Sequence, residues 1–122
     1  MKLTMRVLHS MRIMIDLAQQ GERTSLKQLA EHQDINQKYG ELVVADLIRA
    51  ELIKSIRGRR GGYLLGKPAG QITLGDIVRA VNIPHAKSED PRDAAIEKAF
   101  ERARTAMWEA LDEVTLADAA RG

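Results

Sequence analysis

The first twenty residues set a pattern that most of the chain repeats. Val7, Leu8, Met11, Met14, Ile15 and Ala18 recur at the three- and four-residue spacing of one helix face, with polar positions between them. Thr4 is placed to cap this first helix, and Gly21 to stop it after about Gln20. Ser25-Leu26-Lys27-Gln28 reads as a capping box that opens a second, short helix. Its inner face is Leu26, Leu29 and Ala30, and it ends near His32-Gln33. The segment Asp34-Ile35-Asn36 is then a tight turn, and Asn36 caps a third helix from Gln37 to about Ala50. Leu42, Val43, Leu47 and Ile48 are its expected apolar stripe. Two short helices joined by so short a turn form a helix-turn-helix.

After Ala50 the period changes. Leu52-Ile53-Lys54-Ser55-Ile56 has the β-branched character of a strand. Gly58-Arg59-Arg60-Gly61-Gly62 is a loop, and Tyr63-Leu64-Leu65 reads as the return strand before Gly66-Lys67-Pro68. A hairpin directly after a helix-turn-helix makes a winged helix. Thr73-Leu74-Gly75-Asp76 caps a fourth helix with Ile77, Val78 and Val81 inside. A polar stretch follows, and Pro91, with Asp90 as its cap, suits the start of a long fifth helix. On that helix Ile96, Phe100, Ala103, Met107, Leu111 and Val114 form one stripe at spacings of 4, 3, 4, 4 and 3. Such a stripe lies outside a small helical head and needs a partner, most simply a second copy of itself. The expected organisation is a head over residues 1–82, a linker over 83–90, and a dimerisation helix with its tail over 91–122. The fold class is mainly α: a winged helix-turn-helix with a long C-terminal dimerisation helix.

Charge sharpens this. Residues 1–82 hold 13 Lys and Arg against 8 Asp and Glu, whereas residues 83–122 hold 6 against 9. Between Leu52 and Gly75 there are five basic residues (Lys54, Arg57, Arg59, Arg60 and Lys67) and no acidic one. A block of one sign suggests contact with a polyanion; taken alone, it is equally a solvated basic loop. In a recognition helix the early residues, here Asn36, Gln37, Lys38, Tyr39 and Glu41, face bases and phosphates. Gln37 and Lys38 are suited to bases, and the Tyr39 hydroxyl to a phosphate. In the hairpin tip, Arg57, Arg59 and Arg60 supply charge for a narrow minor groove, and Gly58, Gly61 and Gly62 allow close backbone approach. Double-stranded DNA is therefore the expected partner.

Other chemistry is thinly supported. The chain has no cysteine, hence no disulfide and no thiolate for catalysis or metal. It carries no G-x-S-x-G, no H-E-x-x-H and no phosphate-binding loop, so no enzyme and no catalytic residue is expected. His85, Glu89, Asp90 and Asp93 are donor types for a metal, but in a polar linker they read as solubilising, and no metal site is assigned. His9 and His32 stand isolated in the sequence. No run of 18 apolar residues and no signal peptide are present, so the expected setting is cytoplasmic, without a membrane partner.

Several motifs carry a resemblance. Arg57-Gly58-Arg59-Arg60-Gly61-Gly62-Tyr63-Leu64-Leu65, then Pro68, Ile72-Thr73-Leu74-Gly75-Asp76-Ile77 and Thr115-Leu116-Ala117-Asp118, together with Met1-Lys2-Leu3-Thr4, are similar to the Rrf2 family. This is a bacterial family that includes repressors of iron–sulfur-cluster assembly and of cysteine metabolism and a nitric-oxide-sensing repressor. The resemblance covers nearly the whole chain. It implies a transcription regulator, read here as a repressor, that binds a palindromic operator as a dimer with crossed long helices. The alternative it leaves open is a protein-interaction module whose DNA binding is controlled or replaced by a regulatory partner, a metabolic enzyme. Two departures stand out. The recognition helix reads Asn36-Gln37-Lys38-Tyr39-Gly40-Glu41, with a helix-weakening Gly40 that loosens the helix or lets backbone approach DNA. Cluster-binding members place three cysteines before or at the start of the long helix; this chain has none, so no cofactor is expected.

Overall fold

Thr4 caps the first helix as its position requires: its Oγ1 accepts the Val7 N–H at 3.2 Å, and α1 (Met5–Gln20) runs to Gly21, whose left-handed backbone closes it. The structure, a computed structural model of the chain, describes residues 3–81 and 88–122. In α2 (Leu26–Gln33) the capping box is complete, with the Ser25 N–H donating to Gln28 Oε1 at 3.0 Å and the Gln28 N–H to Ser25 Oγ at 3.1 Å. Asn36 caps α3 (Gln37–Arg49). The hairpin pairs β1 (Ile53–Ile56) with β2 (Gly62–Leu65) antiparallel, Ile53 opposite Leu65 and Ile56 opposite Gly62. A single 3₁₀ turn (Ala69–Gln71) leads to α4 (Leu74–Val81), and α5 (Pro91–Asp112) and α6 (Leu116–Arg121) complete the chain. Among the described residues no helix is long and apolar enough to cross a membrane.

One core joins these elements. Ile13, Met14 and Leu17 of α1 meet Leu29 of α2, Val43, Val44 and Leu47 of α3, Leu52 and Ile53 at the hairpin base, and Ile72 and Ile77 around α4. Burying each large side chain contributes roughly 1.5–3 kcal/mol. The helix-turn-helix and the wing thus rest on the same interior.

Three expectations are corrected. Leu42 does not belong to the inner stripe: it is 57% exposed, and Val44 is buried instead. At about 100° per residue, Gly40, Val43, Val44 and Leu47 share the side that faces α1 and α2, and Leu42 falls on the other. Val114 lies beyond the long helix, which stops at Asp112 with Glu113 as its cap. The Val114 carbonyl instead accepts the Leu74 N–H at 2.9 Å, and the Leu116 N–H donates to the Ile72 carbonyl at 2.7 Å, so the chain turns back to the head. The stretch 113–122 is therefore not a tail of the long helix α5. It forms α6, packs on α1, and sends Leu116 fully into the core. Thr115 caps α6 with Asp118 in a second capping box, a signal present in the sequence and not read there as a helix start.

The linker expected over 83–90 and the boundary at 82 fall largely on residues 82–87, which with Met1 and Lys2 lie outside the described residues; so does His85.

Candidate nucleic-acid interface

At the start of α3 the polar side chains divide between structural and free roles. Asn36 Oδ1 accepts the backbone N–H groups of Lys38 (2.8 Å) and Tyr39 (3.3 Å), so its oxygen is occupied as the helix cap. Gln37, Lys38 and Glu41 are exposed. Tyr39 is half-buried: its ring meets His9 edge-on, centroids 5.3 Å apart, and its hydroxyl shares a hydrogen bond of 3.0 Å with His9 Nδ1. His9, isolated in the sequence, thus ties α1 to α3. Arg6 and Asp46 form a second tie between the same helices. Gly40 does not turn its face outward, and any idea that it admits DNA backbone is corrected. A Cβ built there would sit 3.5 Å from Ile35 Cδ1 and 3.6 Å from Leu26 Cδ1, on the inner side.

The wing tip is a β-turn. The Gly61 N–H donates to the Gly58 carbonyl at 2.9 Å, which puts Arg59 and Arg60 at the two central positions, both exposed like Arg57. Gly58 takes a positive φ of 112°, open to glycine and strained for other residues. Gly62 is required by proximity, because a Cβ there would come within 2.9 Å of the Thr24 carbonyl oxygen. That contact belongs to a two-way bridge in which the Tyr63 N–H donates to the Thr24 carbonyl at 2.9 Å and the Thr24 N–H to the Tyr63 carbonyl at 3.1 Å. Arg23 Nη1 donates to the Arg60 carbonyl at 3.0 Å. The loop before α2 therefore holds the wing through the wing's backbone, by the Thr24 bridge and the Arg23 side chain, leaving the Arg57, Arg59 and Arg60 side chains exposed. Arg23 and Thr24 carry no composition or spacing signal that would have marked this support in the sequence.

On the long helix, residues 91–106 are all exposed. Ile96 and Phe100 are 55% and 61% exposed, and Ala103 lies on the same side. Met107 and Leu111 are half-buried, and Leu111 packs with Trp108 against the head's core. Of the six-residue stripe, Ile96, Phe100 and Ala103 are open, Leu111 anchors the helix to its own head, and Val114 lies past the helix end.

Comparison with known proteins follows this geometry. A family model described as "Rrf2: Iron-dependent Transcriptional regulator" matches residues 3–122. The HTH-type transcriptional regulator CymR of Bacillus subtilis is 40% identical over 124 residues, spanning 98% of this chain and 90% of CymR. IscR of Cronobacter sakazakii is 38% identical over 84 residues, which is 67% of this chain and 52% of IscR. Among solved structures, CymR of B. subtilis, titled the global cysteine regulator of that organism, has a TM-score of 0.78 at 36% identity, over 99% of this chain and 97% of that one. IscR of T. potens has a TM-score of 0.80 at 32% identity, over 99% and 87%. These are transcription regulators, not enzymes.

The residues present do not fit an iron–sulfur cluster. The chain contains no cysteine thiolate, and among the described residues no three His, Asp or Glu side chains converge. The linker carboxylates are engaged locally: Asp90 caps α5 and pairs with Arg92 at 2.7 Å, and Asp93 accepts from Ser88 Oγ at 2.5 Å.

Proposed function

The chain belongs to the Rrf2 family of winged-helix, DNA-binding transcription regulators, and from that premise we propose that it works as a homodimer that represses by occupying a palindromic operator. In this reading the exposed Gln37, Lys38 and Glu41 of α3 enter the major groove, Tyr39, held by His9, faces a phosphate at the groove's edge, and Asn36 is the cap that sets the helix start. Arg57, Arg59 and Arg60, on the tip built by Gly58, Gly61 and Gly62, reach phosphates and the adjacent minor groove. The observation that carries the reading is the open length of α5. Among the described residues, sixteen consecutive ones, 91–106, are all exposed, yet they present Ile96 and Phe100. An isolated helix of that length is marginal in water, so a second α5 across a two-fold axis is the simplest support. The same axis converts one half-site into an inverted repeat. No step in this reading passes through iron.

The test pairs sedimentation of the purified chain with selection of duplexes from a random-sequence pool. The expected result is a dimer at micromolar concentration that enriches an inverted repeat. A monomer, or enriched sequences without a dyad, overturns it. Repression itself is read by placing the enriched repeat over a promoter driving a reporter; unchanged output with the regulator present removes that part.

A further inference from the structure

The core takes Val43, Val44 and Leu47 of α3 and leaves Leu42 outside, 57% exposed. Its neighbours on that outer side are Lys38, Ala45 and Arg49, at spacings of 4, 3 and 4 along the helix, and all are exposed. Glu41 flanks them. One edge of this face is tied to α1, through Tyr39 with His9 and, two turns on, Asp46 with Arg6, which holds the helix with the leucine outward. The result is one apolar side chain set among charged groups: Lys38 and Arg49 supply positive charge and Glu41 negative, and the exposed Arg49 also donates to Asp46 Oδ1 at 3.2 Å.

That surrounding decides the occupant. A protein-docking face offers several contiguous apolar side chains, whereas a solitary leucine between cations suits an anionic surface with an isolated apolar feature. The major-groove edge of DNA is such a surface: its one apolar group is the C5 methyl of thymine, set between phosphates. We propose that Leu42 is a specificity-determining residue that packs on a thymine methyl in each half-site. This rests on the reading of α3 as the recognition helix. It assigns to that helix an apolar element of sequence readout, beside the hydrogen-bonding side chains of its first turn.

The test removes one methyl at a time. Duplexes enriched by the wild-type protein from a random pool are remade with deoxyuridine in place of each thymine, which leaves hydrogen bonding unchanged. At one symmetric position the wild type is expected to bind about fourfold more weakly per half-site, the value of one buried carbon. Leu42→Ala is expected to melt like the wild type, bind the thymine duplex correspondingly more weakly, and no longer distinguish thymine from uracil at that position. Absence of any thymine–uracil discrimination by the wild type overturns the proposal, as does discrimination that survives in Leu42→Ala. A shift of Leu42→Ala from dimer to monomer, without effect on discrimination, assigns the residue to a second copy of the chain and equally overturns it. Failure to enrich any duplex is a different outcome: it removes the DNA-reading role of α3 and this inference with it.

Discussion

Arg79 and Asp112 meet across the junction of α4 and α5 as a two-pronged ion pair, with Nη1 donating to Oδ1 at 2.8 Å and Nη2 to Oδ2 at 2.7 Å. The guanidinium also lies 4.5 Å from the centre of the Trp108 ring. Gly75 leaves room for the pair, since a Cβ there would fall 2.0 Å from Asp112 Oδ1. The hydrogen bond from Arg79 is the main reason the Asp112 carboxyl is held below its ordinary range, and the same bond raises the Arg79 guanidinium. A depressed carboxylate stabilises the fold above its unfolded value and loses that contribution as pH falls through its folded value, here below about pH 4. Asp112→Asn is expected to lower the melting temperature at pH 7 and to remove part of its decline on acidification. Thermal melting between about pH 6 and pH 2.5 checks it; an acid profile identical to that of the wild type counts against the pair's role.

The wing arginines are expected to serve DNA and not folding. Arg59 and Arg60 have exposed side chains, and the contact that steadies the tip uses the Arg60 backbone carbonyl. Arg59→Ala with Arg60→Ala should therefore melt as the wild type does, bind the operator at least about tenfold more weakly, and show a salt dependence shallower by about two phosphate contacts. Gel-shift titrations at several salt concentrations decide it, and unchanged affinity removes the wing from the interface.

For the dimer proposed through α5, the split of its apolar stripe selects the variant. Leu111 packs against its own head, so its replacement mixes two effects. Ile96 and Phe100 are open and separable. Ile96→Asp with Phe100→Asp is expected to yield a monomer with a folded head and weak binding to the full palindrome. Sedimentation, circular dichroism and gel shift on one sample test this together. A double variant that stays dimeric places the interface elsewhere, and a monomer that binds the palindrome undiminished breaks the link between dimerisation and recognition.

Gly40→Ala should stabilise the protein. Its Cβ would enter at ordinary van der Waals distance from Leu26, Ala30 and Ile35, and alanine is favoured over glycine within a helix by about 1 kcal/mol. A melting temperature higher by a few degrees, with operator affinity unchanged, is the expected outcome. A fall in stability would mean that the added methyl crowds Leu26 and Ile35 and would overturn the prediction.

Anaerobic incubation with ferrous iron and sulfide is expected to leave the purified chain colourless, because thiolate ligands are absent. Stoichiometric iron with cluster absorption would overturn this.

Local chemistry and periodicity made much of the fold legible in the amino-acid sequence. Thr4, Ser25 and Asn36 start helices because a short polar side chain can satisfy the free N–H groups of a first turn wherever it occurs. The Arg59-Arg60 tip between glycines announces a turn for the same local reason. What depends on which face meets which neighbour was decided only by tertiary structure. Leu42 and Val44 are both apolar and two residues apart; the helical period groups Val44 with Val43 and Leu47, but only the packing of α1 and α2 makes that side the covered one. The return of Leu116 to the core depends on backbone pairing with Ile72, forty-four positions earlier. The wing's support by Thr24 is likewise a backbone contact that leaves no trace in side-chain pattern. His9 becomes a partner of Tyr39, and Arg79 of Asp112, because packing brings together helices whose sequences carry no mark of each other.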